Sequence, residues 1–535
     1  MKRMYRTSAV LACSLSASPA FAGGWVQFAD ETSTRLVANT SLGSNDTQEK
    51  DYAWGDLDHD GDIDLVVVRK QPFTTPGRRR NVLFMNEGIA EGHSVNGVLV
   101  DRTNQYIVGF LDLTNDRDVA VADVDGDTWL DIITAPTYGS GLPTAISHPR
   151  VYMNQGEVAG VWQGFIYDPA RIPIFPSDPN FCGVAAGDVT GNGAPDLYFT
   201  DYSNSLEDRL LINDGTGFFT DESTARLPSG FLSSVFGIHT VIADMNGDGW
   251  NDILKNEAGP VETANNAGNG FFNIYETSYS GAAYFFNTGD LNNDGKLDII
   301  ISDDGVDRYR LNLGNGANGM ADFVSFTFPS STNGFGSNSI IADLNNDGWN
   351  DVIIADVDVD ISGCTRVTDI LRNNGNPPNV TFTAETSGIP SSMLQGVHDF
   401  AVIDLNGDCW LDLVIGRCTG TQVWINQEPI SACQPVSPAD IASPGNPGVP
   451  DGCVDSTDLT ILLGAWCSAV NDPNPPSPPC GNCTHANLLL ADIAGAGGGP
   501  PDGCVDSSDL TVLLGEWCSA AGGNPCGTCS SPPRP

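Results

Sequence analysis

The residues of this chain best placed to do chemistry are aspartates at alternate positions of a nine-residue stretch: Asp56, Asp58, Asp60, Asp62 and Asp64. The stretch returns six more times, beginning at Asp123, Asp188, Asp244, Asp290, Asp343 and Asp404. Position 1 is always one of these aspartates. Position 3 always carries a side-chain oxygen, from Asp58, Asp125, Thr190, Asn246, Asn292, Asn345 or Asn406, and so does position 5, from Asp60, Asp127, Asn192, Asp248, Asp294, Asp347 or Asp408. Position 9 is again Asp throughout: Asp64, Asp131, Asp196, Asp252, Asp298, Asp351 and Asp412. Alternating oxygens plus one backbone carbonyl suit Ca²⁺, a hard cation that takes roughly six to eight oxygen ligands. The carbonyl is expected from position 7, occupied by Asp62, Trp129, Ala194, Trp250, Lys296, Trp349 and Trp410. Position 6 is Gly in five loops, as the sharp turn around an ion requires, and Thr128 and Cys409 are the departures. Asp, Asn and Gly also mark ordinary turns, but seven copies with Asp held at positions 1 and 9 favour calcium. Loop 3, with Thr190 and Asn192, keeps only two carboxylates and is expected to bind weakly; loops 2 and 7 lack the glycine.

Short strands must position these loops. One enters each loop, as in Thr240-Val241-Ile242-Ala243, and ends on Gly55, Ala122, Gly187, Ala243, Gly289, Ala342 or Ile403, mostly small residues suited to crowded strands. A second starts with an aliphatic residue after position 9: Leu65, Ile132, Leu197, Ile253, Ile299, Val352 or Leu413. A third often ends in Asn and Gly, as at Asn86, Asn154 and Asn213, and a fourth is aromatic-rich. The pattern predicts an all-β fold, a seven-bladed β-propeller of four-stranded blades over residues 23–427. The last repeat lacks a fourth strand, and residues 24–30 resemble one. Pairing them into the last blade would close the ring and remove an exposed edge.

The chain has 535 residues and a formal charge of −43. The loops hold about a third of its 67 acidic residues, so part of that charge is ligand supply. Such acidity argues against nucleic acid or anionic membrane as partner. Residues 1–22 read as a secretory signal, with Lys2, Arg3 and Arg6 ahead of an apolar stretch and Ala20-Phe21-Ala22 at a cleavage site. No later stretch is long and apolar enough for a membrane span. The localisation expected is secreted, extracellular or cell-surface, a setting in which cysteines pair.

The region 24–427 resembles the FG-GAP/VCBS-type calcium repeats of integrin α-subunit heads and of bacterial secreted proteins, through Phe236-Gly237, Phe335-Gly336 and Gly193-Ala194-Pro195. That resemblance implies a propeller with calcium on the loops joining strands 1 and 2 of each blade, in modules used mostly for adhesion or recognition. Residues 428–438 read as a linker. In 439–535, Asp451-Gly452-Cys453-Val454-Asp455 through Cys467 returns as Asp502-Gly503-Cys504-Val505-Asp506 through Cys518. This region resembles dockerin modules, in which Asp451, Asp455, Asp458, Asp502, Asp506 and Asp509 match the later loop positions. The resemblance implies a cohesin-like or cell-envelope partner for the tail. Its early loop positions fit poorly. Calcium, disulfide staples among Cys453, Cys467, Cys480, Cys483, Cys504, Cys518, Cys526 and Cys529, or zinc at the two Cys-x-x-Cys pairs remain open readings.

Three further features carry two readings each. His239 lies on an entry strand, where a channel lining competes with an acid–base pair. The tryptophans at position 7 suit blade-to-blade packing or a sugar platform. Cys409 and Cys418 flank an extended strand, which sets them too far apart to be bonded to each other. The function expected is a calcium-binding adhesion or recognition scaffold, not an enzyme, whose propeller engages a protein or glycan ligand. The alternatives are a polysaccharide-acting lyase or hydrolase, or a lectin, on the same scaffold.

Overall fold

In the computed structural model the chain divides into compact units between Glu428 and Pro429. The structure describes residues 25–38, 46–70, 79–137, 148–175, 179–203, 206–233, 235–257, 259–329, 336–355, 364–386 and 390–427, with 442–443 and 446–447. The expected signal at 1–22, the expected linker at 428–438, Phe335 and the cysteines and aspartates expected to act in the tail lie outside them.

The all-β reading holds: among the described residues strands dominate, and helices are single turns. Each Asp-rich stretch is the loop of an antiparallel hairpin. The residue before position 1 pairs with position 9 in every case, as Gly55 with Asp64, Gly187 with Asp196 and Ile403 with Asp412. The residues at position 10 are fully buried, and so are, within 2%, those at position 2: Leu57, Val124, Val189, Met245, Leu291, Leu344 and Leu405. Apolar residues thus flank the polar loop on both sides and pin it to the core.

The entry strands lie side by side in cyclic order. Lys50–Gly55 contacts Asp116–Ala122, which contacts Phe181–Gly187, then Gly237–Ala243, the end of Phe272–Gly289, Ser339–Ala342 and Val397–Ile403, which returns to Lys50–Gly55. Small residues at their ends are explained by this crowding. A Cβ on Gly55 would come within 2.6 Å of Leu130, and one on Gly187 within 2.6 Å of Ile242, both side chains of the next repeat. Among the described residues the core is divided into clusters that each join two neighbouring repeats, such as Leu83 and Val66 with Ile132 and Tyr152, or Leu65 and Val67 with Ile403 and Val414. Sheet faces pack on sheet faces all round the ring.

The blade count and strand number differ from expectation. Among the described residues, five separate blades of four or five strands are found, not seven of four. The strands of repeats 4 and 5 form one seven-stranded sheet. Its cause is the 18-residue strand Phe272–Gly289, whose first part pairs with Gly259–Asn266 and whose last part pairs with Asp298–Asp303. At three other junctions a helical turn, Thr32–Arg35, Thr103–Tyr106 or Ser223–Arg226, breaks the chain between repeats. Loop 4 and loop 5 start only 46 residues apart, and no residues remain for that turn. Two blades gain a fifth strand: Leu36–Val37 runs parallel to Val98–Asp101, and Ile107–Val108 runs parallel to Phe165–Tyr167. Each pair follows the helical turn that leaves the preceding blade, so the crossover itself adds to the next sheet.

The N-terminal strand closes the ring as expected. Gln27–Asp30 pairs antiparallel with Gly420–Gln427, in register from Gln27 with Gln427 to Asp30 with Trp424. Trp25, Val26 and Phe28 are buried in the cluster of the last two repeats. Cys418 is bonded to Cys364, across repeats 6 and 7, and not to Cys409, in agreement with the strand Asp412–Arg417 that separates the latter two. Deleting residues 23–32 removes this strand and three buried apolar side chains. The expected cost exceeds about 5 kcal/mol of unfolding free energy; a deletion variant that melts within two degrees of the full chain would contradict closure by this strand.

Candidate metal centre

The geometry of the seven loops starts from position 9. Each of these aspartates is buried, and its two oxygens are used alike in every repeat. Oδ2 accepts the backbone N–H of position 2, at 3.0 Å from Leu57 to Asp64 and 3.0 Å from Leu405 to Asp412. Oδ1 accepts the backbone N–H of an asparagine that ends the third strand: Asn86, Asn154, Asn213, Asn266, Asn312, Asn373 or Asn426, at 2.7–2.8 Å. The side chain of that asparagine then reaches into the preceding repeat. Its Nδ2 donates to the position-2 carbonyl there: Asn154 to Leu57, Asn213 to Val124, Asn266 to Val189, Asn312 to Met245, Asn373 to Leu291 and Asn426 to Leu344, all at 2.7–2.9 Å. Asn86 does the same to Leu405, 2.9 Å away and 319 residues later in sequence, across the closure of the ring. These asparagines were visible in sequence only as the ends of third strands. Their partners lie in another repeat, so no local signal marked the role.

Positions 1 and 5 shape the loop. The position-5 side chain accepts the N–H of position 7 in all seven loops, at 2.8–3.0 Å. Position 1 accepts the N–H of position 6 in loops 2 to 7, as in Thr128 to Asp123 at 2.9 Å and Cys409 to Asp404 at 2.8 Å. Position 6 has a left-handed backbone in every loop, including Thr128 at φ 80° and Cys409 at φ 68°, so the two departures from Gly keep the turn. Position 4 is left-handed throughout as well, at His59, Gly126, Gly191, Gly247, Asn293, Asn346 and Gly407. Its Gly, Asn and His composition is the signal that a sequence reading could have used.

The loops also touch one another. His59 stacks on Trp129 of loop 2 with ring centroids 3.9 Å apart, and its Nε2 lies 3.2 Å from the Thr128 carbonyl. Asn293 and Asn346, at the same position 4, donate to the carbonyls of Gly348 and Cys409 in the following loops. The ring of Trp250 lies where a Cβ on Gly191 of loop 3 would be, 2.5 Å away. These contacts favour the packing reading of the position-7 tryptophans over a sugar platform. His239 is buried against Phe285 and Phe286, with ring centroids 5.3 and 5.2 Å away.

Carboxylates converge most closely in the first two loops. Among the described residues, ligand atoms of Asp56, Asp58 and Asp60 lie within 4.8 Å of one another, and so do those of Asp123, Asp125 and Asp131. In each group one buried oxygen, Asp56 Oδ1 and Asp125 Oδ1, has no hydrogen-bond partner. Burial, reinforced by the charge of Asp60, pushes the Asp58 carboxyl up to about 7, and burial raises Asp56 and Asp125. Orphaned, mutually repelling carboxylate oxygens fit a divalent cation, whose charge would reverse that electrostatic cost. Loops 4 to 7 are satisfied differently. The position-3 amide donates to the position-5 carboxylate, from Asn246 to Asp248 at 2.9 Å and from Asn406 to Asp408 at 2.9 Å. In loop 5 the Lys296 ammonium sits 2.7 Å from Asp294. In loop 3, Thr190, Asn192 and Ala194 leave Asp188 and Asp196 as the two carboxylates, and Asn192 Nδ2 donates to the Asn213 carbonyl. At position 9, burial pushes Asp131 up to about 8, Asp196 to about 6, and Asp252 and Asp298 to about 7; Asp64, Asp351 and Asp412 are raised well above the carboxylate range for the same reason.

The FG-GAP-like repeat family matches residues 188–255, 290–354 and 343–415, and each matched stretch begins at position 1 of a loop. The chain carries FG-GAP-like repeats. Cartilage acidic protein 1 of Mus musculus is 25% identical over 406 residues, with 72% of this chain and 60% of the relative covered. The Xenopus tropicalis protein of the same name is 26% identical over 413 residues, with the same coverage. The chain therefore spans about 60% of the length of these relatives. Among solved structures, an Agrocybe aegerita lectin that recognises non-reducing terminal N-acetylglucosamine is similar at 17% identity and a TM-score of 0.43, over 72% of this chain and 87% of the lectin. A likeness at that level carries no argument about function.

Thr128 holds a left-handed backbone that a β-branched residue adopts only under strain. Thr128→Gly is expected to raise the unfolding free energy by about 1 kcal/mol, read from denaturant melts. A destabilised variant would mean that the Thr128 side chain, and not its backbone, sustains loop 2.

Proposed function

We propose that the repeat region is a secreted recognition scaffold, stabilised by Ca²⁺ bound to the Asp-rich loops. The observation that carries this reading is the convergence of carboxylates in loops 1 and 2, with one buried, unpartnered oxygen in each. A divalent ion in those loops would be structural. Its ligands belong to the hairpins that hold the ring together, and His59 and Trp129 pack the two loops against each other. Loops 4 to 7 would take ions more weakly, since their position-3 amides already donate to position 5, and so would loop 3, which keeps only two carboxylates. At ten times Kd each occupied site adds about 1.4 kcal/mol to stability, in the range expected of extracellular calcium modules.

The secreted setting is supported by the signal-like residues 1–22, by the disulfide Cys364–Cys418 and by similarity to relatives named for cartilage, an extracellular tissue. Among the described residues no helix is long and apolar enough to cross a membrane. Adhesion or recognition of a protein or glycan ligand is the role that suits such a scaffold, with the region 439–535 serving attachment or assembly. A sugar platform built from the position-7 tryptophans is disfavoured by their packing on His59 and Gly191.

Calorimetric titration with Ca²⁺ should show several bound ions. Chelator should lower the melting temperature by at least about 3 °C, the shift expected when two such sites are emptied in a 400-residue domain. Asp56→Ala and Asp125→Ala should each remove one ion from the count. No heat, no shift and no change in either variant would reduce the loops to turns. Arrays of glycans and matrix proteins, together with a panel of polysaccharides, test the role. Calcium-dependent binding without product release is expected, and release of products would replace the scaffold with an enzyme.

A further inference from the structure

Between repeats 3 and 4 a lysine and an aspartate are buried together, with two half-buried glutamates beside them. Lys255, on the strand Asp252–Glu257, is fully buried, as is Asp208, just ahead of the strand Arg209–Asn213. Lys255 Nζ lies 2.8 Å from Asp208 Oδ2 and in closer contact with Glu257 Oε1. It also donates to the carbonyls of Phe231 and Ser233, and the Phe231 ring covers it at 4.7 Å. Glu262, paired with Lys255 on the adjacent strand, has a buried Oε2 without a hydrogen-bond partner. The electrophile is polarised from two sides: the Tyr198 hydroxyl donates to Asp208 Oδ2 at 3.0 Å, and the Asp201 N–H donates to Oδ1 at 2.8 Å. One buried amine cannot neutralise three neighbouring carboxyls. Burial pushes Glu257 up to about 7, so a proton resides in the cluster near neutral pH.

We propose that Lys255 and Asp208 condense within the folded chain to an isopeptide bond, with Glu257 carrying the proton. A proton moves from the ammonium to the Asp208 carboxylate, leaving a neutral amine and a carboxylic acid. The Nζ lone pair attacks the Asp208 carboxyl carbon and a C–N bond forms. Charge developing on Oδ1 is held by the Asp201 N–H, placed as an oxyanion-hole donor, while the Tyr198 hydroxyl stays on Oδ2, the oxygen that departs. Glu257 takes a proton from Nζ and returns it to the departing hydroxyl; the C–O bond breaks and one water leaves. The balance is ammonium plus carboxylate to amide plus water, with no oxidant or cofactor. Held in contact and shielded from water, such groups react at effective concentrations on the order of 10⁵ M or more, which favours condensation over the ion pair. The bond would close a loop between residues 47 apart and tie repeat 3 to repeat 4.

The test is mass spectrometry of the full chain, reduced, denatured and digested with trypsin. A linked pair of peptides carrying Asp208 and Lys255, about 18 Da lighter than their sum and uncleaved after Lys255, is expected. Glu257→Gln keeps a hydrogen-bonding side chain but cannot relay the proton, and it should yield the two peptides unlinked. Recovery of unmodified Lys255 and Asp208 peptides from the folded wild-type chain would overturn the proposal and leave an ion pair only. Linked peptides from Glu257→Gln would overturn the part given to Glu257. If that variant does not fold, the wild-type digest decides alone.

Discussion

A buried carboxylate with no charged partner is costly, and this chain places one in every repeat. What makes the position-9 aspartates tolerable is that each accepts two backbone N–H groups, one from its own loop and one from the third strand. The same asparagine that donates the second N–H sends its side-chain amide into the preceding repeat. Three elements therefore meet at each aspartate: the loop, the outer part of its own sheet and the neighbouring hairpin. The pattern runs all round the ring, including the step from Asn86 to Leu405 that joins the first and last repeats. Hydrophobic packing between sheets supplies most of the driving force, but it is not directional. The Asp–Asn clasp fixes the register in which those faces meet.

The clasp also explains how one loop can serve two ends. With positions 1, 5 and 9 turned onto backbone N–H groups, the loop holds its shape through its own hydrogen bonds. An ion is then an addition to a formed loop, taking the carboxylate oxygens that the backbone leaves over. Those are most available where position 3 is Asp, in loops 1 and 2. Where it is Asn, the amide hydrogen already occupies position 5, and in loop 5 Lys296 supplies a positive charge from the protein itself. Repetition of the fold thus does not require repetition of ion binding. The residue at position 3 can tune each loop without disturbing the ring.

Much of this was legible in the sequence, for physical reasons that differ between elements. The hairpins and their register were readable because Asp at positions 1 and 9, with an aliphatic residue next, recur against an otherwise variable background. The small residues at Gly55 and Gly187 reported crowding by the next repeat, and the strand at 27–30 was betrayed by a last repeat one strand short. The fused sheet was not foreseen, although the short spacing from Asp244 to Asp290 left no room for a crossover. The parallel additions at Leu36–Val37 and Ile107–Val108 are two residues long, too short for any periodicity. Asn213 and its counterparts act through carbonyls of another repeat, and Lys255 meets Asp208 only through the packing of repeat 4 on repeat 3. Contacts of that kind leave no pattern along the chain.

The most direct test of the central role of the clasp is the unfolding free energy of Asn213→Ala. This side chain donates to the Val124 and Pro195 carbonyls and accepts the N–H groups of Gly215 and Gly217. If the clasp holds adjacent repeats in register, its loss should cost about 3 kcal/mol or more, with faster amide exchange at Val124 and along the seam between repeats 2 and 3. A loss within about 0.5 kcal/mol, the range of ordinary surface substitutions, would mean that apolar packing alone sets the ring.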